Sequence, residues 1–448
     1  HLNYSDLVRK CIGNSICIVE YFKQLVEKGI DFSEDVVKYV TSLLGEPSRK
    51  IDVFRDKYIQ VFLRNIQRNC VSVESGEICI YTWMPGRVIR YHPVGLDSTG
   101  TILYFHDNDI SVLAYPVSRT IDIEGHGVSI PDPTKHSIVE ITSRVDGYAI
   151  TFYYNPIVKK WLPATRYVLH NMYYAGRRLE ISDINEITNP YASIAFSIVE
   201  ESGLINYFKG REGWTFTFIL EAPEPAVIKP NIELFNKESF KLYLLTARTS
   251  DGNLLTIRET SELIKWNTVP LEEYRIEDRE TLEKYISNWR NDLTKRSRFV
   301  RFNLGDTYRP FVLEVSSKLY VEAVNVKYYS NPKSLLILAS YGFEKEALEL
   351  LVDYKDIKDA GREIVAIYRE LLDLIPKVID SKAFIEILQK MGVEKELRSE
   401  YKKTLETRVY DRFIRKLLSL IAGDDIYEAR RRLRELKDIL LNNLSQNT

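Results

Sequence analysis

Apolar residues recur at three-and-four spacing in IVEYFKQLVEKG (18–29), FSEDVVKYVTSLLG (32–45) and VFRDKYIQVFLRNI (53–66), which predicts packed amphipathic helices over residues 1–70. Gly29 and Gly45 stand where helix ends favour glycine. From Val71 the period changes to short β-branched and aromatic runs broken by Gly, Asn, Asp and Pro: EICIYTWM, GRVIRYHPV, TGTILYFHDNDISVLAYPV, HSIVEITSRVDGYAITFYY, GWTFTFILEA, FKLYLLTARTSDGNLLTI and FVRFNLGDTYRPFVLEVSSKLYVEAVNV. Such runs predict antiparallel sheet over 71–330, with HDND and TSDGN as hairpin turns. The helical period returns at Asn331 in LLILASYGFEKEALELLV, REIVAIYRELLDLIPKVI and YEARRRLRELKDILLNNL. The expected organisation is a helical region 1–70, a β-rich centre 71–330 and a helical domain 331–448, an α+β chain.

Lys and Arg number 62 against 63 Asp and Glu, so no global basic field advertises nucleic acid and any such contact must come from local patches. Cys11, Cys17, Cys70 and Cys79 form no CxxC pair and have no histidine at metal spacing, so neither a zinc site nor a disulfide framework is expected and a reducing interior suits them. No apolar run reaches the ~18 residues that span a bilayer, and no signal-peptide pattern opens the chain, so a cytoplasmic protein without a membrane partner is expected. P-loop, HExxH and GxGxxG signatures are missing. His92, His106, His126, His136 and His170 accompany no paired nucleophile signature, which removes support for a triad hydrolase.

The motif that carries chemistry is VEITSRVDGYAI (139–150), a β-type run broken at Asp146-Gly147. With TGTILYFHDNDISVLAYPVSRTIDIEGHG before it, and LPATRYVLH, WTFTFILEAPEP, LYLLTARTSDG and FVRFNLGDTYRPFVLEVSSKLYVEA after it, the series over about 98–325 resembles the nucleotidyltransferase domain of ATP-dependent RNA ligases, particularly the phage-type RNA ligase 1 group. The resemblance implies an antiparallel-sheet, ATP-grasp-like ligase domain flanked by helical regions. It also implies an activity that joins RNA ends through a lysyl-AMP, with ATP and Mg²⁺ as cofactors. The nucleotide pocket it implies comprises Thr142, Asp146, Gly147, Arg166, Glu221, Glu314, Ser316 and Lys318. In LPATRYVLH, Thr165 and Arg166 match the family's threonine-arginine-glycine element and Tyr167 replaces the glycine.

Arg144 occupies the nucleophile position. A guanidinium has a pKa of ~12.5–13.8, so about one in 10⁶ is neutral at physiological pH, and resonance makes even that form a poor nucleophile. With Ser317 and Tyr320 as anchors, the family's two phosphate-facing lysines fall on Glu314 and Ser316, and the glutamate and glycine of the preceding motif on Ser297 and Arg298. A carboxylate where a cation should meet phosphate is repulsive by ~1 kcal/mol at contact in water. Lys318, two residues beyond Ser316, would share its face if the strand continued, and could stand in for a lost lysine.

The expected function is therefore a catalytically inactive ligase-like protein that binds RNA or partner proteins in an assembly, with no cofactor and no metal. An active ligase using ATP and Mg²⁺ and a nucleotide-binding sensor are the alternatives. KRSRFVRF places Lys295, Arg296, Arg298 and Arg301 among aromatics on a strand, a combination that suits single-stranded RNA. YEARRRLRELKD places Arg430, Arg431, Arg432 and Arg434 on a helix, where they serve either RNA or intramolecular Glu–Arg pairs.

Overall fold

A computed structural model of the chain describes residues 2–45, 48–84, 91–221 and 239–447. It divides into two compact units, His1–Ile286 with Ser297–Ser316, and Ser287–Arg296 with Ser317–Thr448.

The first unit begins with helices Tyr4–Lys10, Ser15–Glu27 and Glu34–Ser42, capped by Asn3, Asn14 and Ser33, each accepting from a backbone N–H three residues on. A further helical run, Ile51–Val53, Phe54–Tyr58 and Ile59–Asn65, leads straight into sheet at Ile66, five residues earlier than the periodicity predicts. The first sheet is an antiparallel meander of β1 Ile66–Val73, β2 Gly76–Trp83, β3 Thr99–His106 and β4 Asp109–Ala114. Cys79, Tyr81 and Leu103 pack against the N-terminal helices on one face, and Ile78, Ile80 and Ile102 against a second sheet on the other. Burial on both faces explains why these strands read as continuous apolar runs. The turn HDND closes β3 onto β4 through Asp107 and Asn108 at φ +47° and +58°, as its residues predict.

The later strands are β5 Ile121–Asp122, β6 Ile138–Ser143, β7 Tyr148–Asn155, β8 Lys160–Thr165, β9 Met172–Ala175, β10 Arg178–Ile181, β11 Thr215–Glu221, β12 Lys241–Arg248, β13 Leu271–Glu272, β14 Ser297–Phe302 and β15 Phe311–Ser316. They form an antiparallel sheet β12-β11-β7-β8, a separate hairpin β9-β10, and a five-stranded sheet β13-β6-β14-β15-β5 in which only the β15–β5 pair is parallel. The second unit is helical from Tyr320–Tyr329 to Ile426–Gln446, built on an apolar core that includes Leu335, Ile364, Leu371, Leu417 and Leu433.

Several expectations need correction. The stretch 85–90 lies outside the described residues, and Pro93–Leu96 is a short helix because Pro93 fits a first helical turn and cannot donate to a ladder. After TSDGN the chain makes a single bridge, Arg248 to Leu254, and then a helix Ile257–Leu263 with a capping box between Thr256 and Glu259. The run EVSSKLYVEAVNV leaves the sheet at Ser316 and is helical from Tyr320, so strand alternation does not carry Lys318 to the face of Ser316. Helices Pro190–Glu201 and Arg279–Arg290 carry no expectation from the sequence reading. The cysteines are joined, Cys11 to Cys17 and Cys70 to Cys79. The latter pair sits directly opposite in the β1–β2 register, a neighbour relation that sequence spacing does not reveal.

Candidate functional site

A cavity of about 440 Å³ lies in the first unit, walled by one face of β6, β14 and β15 and by residues of β7, β11 and β12. The ladder registers arrange its floor in rows. Glu140 faces Arg301, which neighbours Val312; Thr142 faces Phe299, which neighbours Glu314. Past the end of β6, the Arg144 N–H donates to the Ser297 carbonyl at 3.0 Å. The period-two alternation of a strand thus puts Glu140 and Thr142 on one face and leads it to Arg144.

Arg144 is held by carboxylates. Its Nη1 donates to Glu314 Oε1 at 2.9 Å, and its Nε lies 3.5 Å from Asp146 Oδ1. Glu314 Oε1 also accepts from Ser297 Oγ at 2.9 Å, and its Oε2 from Thr120 Oγ1 at 3.3 Å. Arg144 and Glu314 therefore neutralise each other. Gly147 has a packing reason: a Cβ there would stand 2.2 Å from the Leu220 carbonyl oxygen, so only glycine lets this turn lie against β11.

Arg166 also lines the cavity, and among the described residues no hydrogen bond or ion pair holds its guanidinium. Burial depresses its pKa, with Arg144 acting in the same sense and Tyr167 and Glu314 opposing. Glu140, which the sequence reading did not single out, carries the cavity's other distinctive feature. Its Oε1 accepts the Ile257 N–H at 2.8 Å, while its buried Oε2 has no partner, and burial raises its pKa. Its position two residues before Thr142 on an alternating strand was the available signal.

The remaining expected site residues are placed as follows. Glu221 ends β11 two residues beyond cavity-lining Ile219, and the APEP stretch that follows it lies outside the described residues. Ser316 ends β15, in register with Ser297. Lys318 belongs to the second unit. The expected cationic edge does not form as one exposed surface. Arg298 is 7% exposed, with Nε 2.8 Å from Glu272 Oε2. Arg301 donates to the carbonyls of Leu254 and Leu255, both at 2.9 Å. Lys295 and Arg296 fall in the second unit, where Arg296 lies 5.2 Å from the Tyr320 ring centroid. On the last helix, Arg430 and Arg434 meet Glu363, Arg431 meets Glu428 and Glu435, and Arg432 donates to the carbonyls of Ile421 and Met391, which is the intramolecular alternative.

No lysine, cysteine or histidine stands among the described residues lining the cavity. Of the acidic side chains that could face a Mg²⁺-triphosphate here, Glu314 and Asp146 are engaged by Arg144. Elsewhere among the described residues, ligand atoms of Cys70, Glu77 and Cys79 come within 4.8 Å of one another, but the two sulfurs are joined in a disulfide.

No family model and no curated protein matches the sequence. Among solved structures the chain is remotely similar to ATP-dependent RNA ligases. An archaeal ATP-dependent RNA ligase is 13% identical over 79% of this chain and 83% of its own, with a TM-score of 0.38. A mutant of the Naegleria gruberi RNA ligase with AMP and Mn is 13% identical over 58% of this chain and 97% of its own, with a TM-score of 0.30. Another mutant of that enzyme, with ATP and Mn, is 17% identical over 41% and 50%, with a TM-score of 0.28.

Proposed function

We propose that this chain is a ligase-like protein that has lost nucleotidyl transfer and works by binding RNA, alone or as a subunit of an assembly. The observation that carries the loss is the Arg144–Glu314 pair at 2.9 Å, with Asp146 on the other side of the guanidinium. A nucleophile for the α-phosphate must be a neutral amine, and the residue here is a cation fixed between two carboxylates. Since Glu314 and Asp146 are both committed to Arg144, the protein has no role for bound Mg²⁺ in this reading. The RNA part follows from the motif series of the sequence.

Incubation with radiolabelled ATP and Mg²⁺ tests the loss, and no covalent protein–AMP band is expected. A stable adduct mapping to any cavity strand overturns it. RNA binding is read by fluorescence anisotropy with a labelled single-stranded oligonucleotide, and affinity should fall steeply with salt. A second reading, a nucleotide sensor, draws on the persistence of a cavity of about 440 Å³ whose lining includes Arg166, unpaired among the described residues. Calorimetry separates the two: micromolar ATP affinity favours the sensor, and weak or undetectable binding favours the RNA-binding reading.

A further inference from the structure

The cavity holds two polar groups that the fold leaves without a partner. One is the guanidinium of Arg166. Of the other arginines in the lining, Arg144 spends its charge on Glu314 and Asp146. Arg301 donates to the carbonyls of Leu254 and Leu255 and stands opposite Glu140 in the β6–β14 register. Arg166 has no hydrogen bond or ion pair among the described residues, and its electrostatic neighbours are Tyr167, Arg144 and Glu314. The second group is Oε2 of Glu140, buried and unpartnered, while Oε1 accepts the Ile257 N–H at 2.8 Å. A buried polar atom left unpaired is destabilising, so a bound molecule that supplies the missing partner gains affinity there.

Extended chain from Glu140 to Arg144 covers roughly 13 Å, and Arg166 neighbours Arg144, so the two groups lie toward opposite ends of the floor. Ile219, Leu245, Leu254, Val269, Phe299 and Val312 supply an apolar stretch of wall, and Thr246 spends its hydroxyl on the Leu255 carbonyl at 2.6 Å. These features select a ligand. A single guanidinium with Glu314 close by suits one negative charge, and a planar carboxylate meets an arginine through two parallel hydrogen bonds. A nucleotide brings further negative charge up against Glu314, and its ribose hydroxyls find few partners on an apolar wall. An apolar body is rewarded there, and about 440 Å³ accommodates a small organic molecule.

We propose that the cavity binds a medium-chain carboxylic acid with a hydroxyl at its far end, the carboxylate on Arg166 and the hydroxyl donating to Glu140 Oε2. Such a site requires neither nucleotidyl transfer nor RNA. It therefore goes beyond the RNA-binding reading and competes only with the nucleotide sensor.

Calorimetry of the full chain with 8-hydroxyoctanoate, octanoate and AMP tests the site. Micromolar affinity is expected for 8-hydroxyoctanoate. Arg166→Gln removes the charge and should weaken both acids about tenfold or more, while Arg166→Lys keeps the charge and should lose less. In wild type the hydroxy acid should bind at least as tightly as octanoate although it is more polar, because Glu140 Oε2 takes its O–H. In Glu140→Ala it should fall about tenfold behind octanoate, since the hydroxyl then enters an apolar wall without a partner. The wild-type comparison needs no variant, and melting curves check that each variant is folded. Absence of heat from either acid at millimolar concentration overturns the proposal, and so does a folded Arg166→Gln variant that binds both acids as wild type does. AMP binding more tightly than both acids also overturns it and favours the sensor. None of these results bears on RNA binding, which anisotropy reads separately.

Discussion

Arg144→Lys alone should not produce an adenylylated protein. The introduced ammonium would sit where the guanidinium now contacts Glu314 at 2.9 Å and Asp146 at 3.5 Å. Opposite charges at such range raise a lysine pKa by ~1–3 units, and the 39% exposure of Arg144 points to the lower end. Starting from ~10.4, a rise of one unit gives ~11.4, at which about one amine in 10⁴ is neutral at pH 7.5. A catalytic lysine tuned to ~7–8 is roughly half neutral there, so the variant lacks close to 10⁴-fold in nucleophile, or ~5 kcal/mol. Repulsion between Glu314 and the incoming phosphates adds ~1 kcal/mol or more. Mass spectrometry of the intact protein after incubation with ATP and Mg²⁺ reads the outcome. Combining Arg144→Lys with Glu314→Gln should recover about tenfold of the deficit, roughly threefold from losing half of the one-unit pKa rise and the rest from the lost repulsion toward phosphate. An AMP adduct on the introduced amine in the single variant, at a rate comparable to the double variant, refutes the reasoning that Glu314 disables the site.

Three further outcomes follow from the first unit. Asp97, fully buried, accepts from Ser15 N at 3.0 Å, Tyr115 Oη at 2.9 Å, Ser118 Oγ at 3.0 Å and Arg309 Nη1 at 3.0 Å, and pairing with it is the leading reason that the desolvated Arg309 keeps a raised pKa. Asp97→Ala should cost ~3–5 kcal/mol by stranding that cation, and a melting midpoint lowered by less than about 2 °C would count against it. Gly147→Ala should destabilise by ~1–3 kcal/mol in a denaturant titration, because its Cβ would meet the Leu220 carbonyl oxygen at 2.2 Å; unchanged stability would mean the β6–β7 turn can move. Burial raises the pKa of Glu140, so the folded state favours its protonated form and the carboxylate lowers stability at neutral pH. Glu140→Gln should therefore stabilise at pH 7, with a gain that vanishes below the unfolded carboxyl pKa of ~4.5; a pH-independent difference would exclude a titrating origin.

Local chemistry was legible in the sequence. The three-and-four spacing before residue 66 and after Asn331, the Asp107-Asn108 turn and the break at Asp146-Gly147 all depend on residues a few positions apart, and the structure has helices or turns at each. The candidate site was legible only as a series of positions along the chain. What Arg144 touches was not, because Glu314 lies 170 residues away and only the β6–β14–β15 register brings them together. The same register decides the fate of KRSRFVRF. Alternation along β14 sends Arg298 to one face, where it is buried against Glu272, and Arg301 to the other, opposite Glu140. The sequence determined where strands, turns and helical segments could form, since propensity and periodicity are short-range. Only the tertiary structure decided which cations are free, because pairing and burial depend on strand register and on which face meets another layer, and both are set by contacts between residues far apart in the chain.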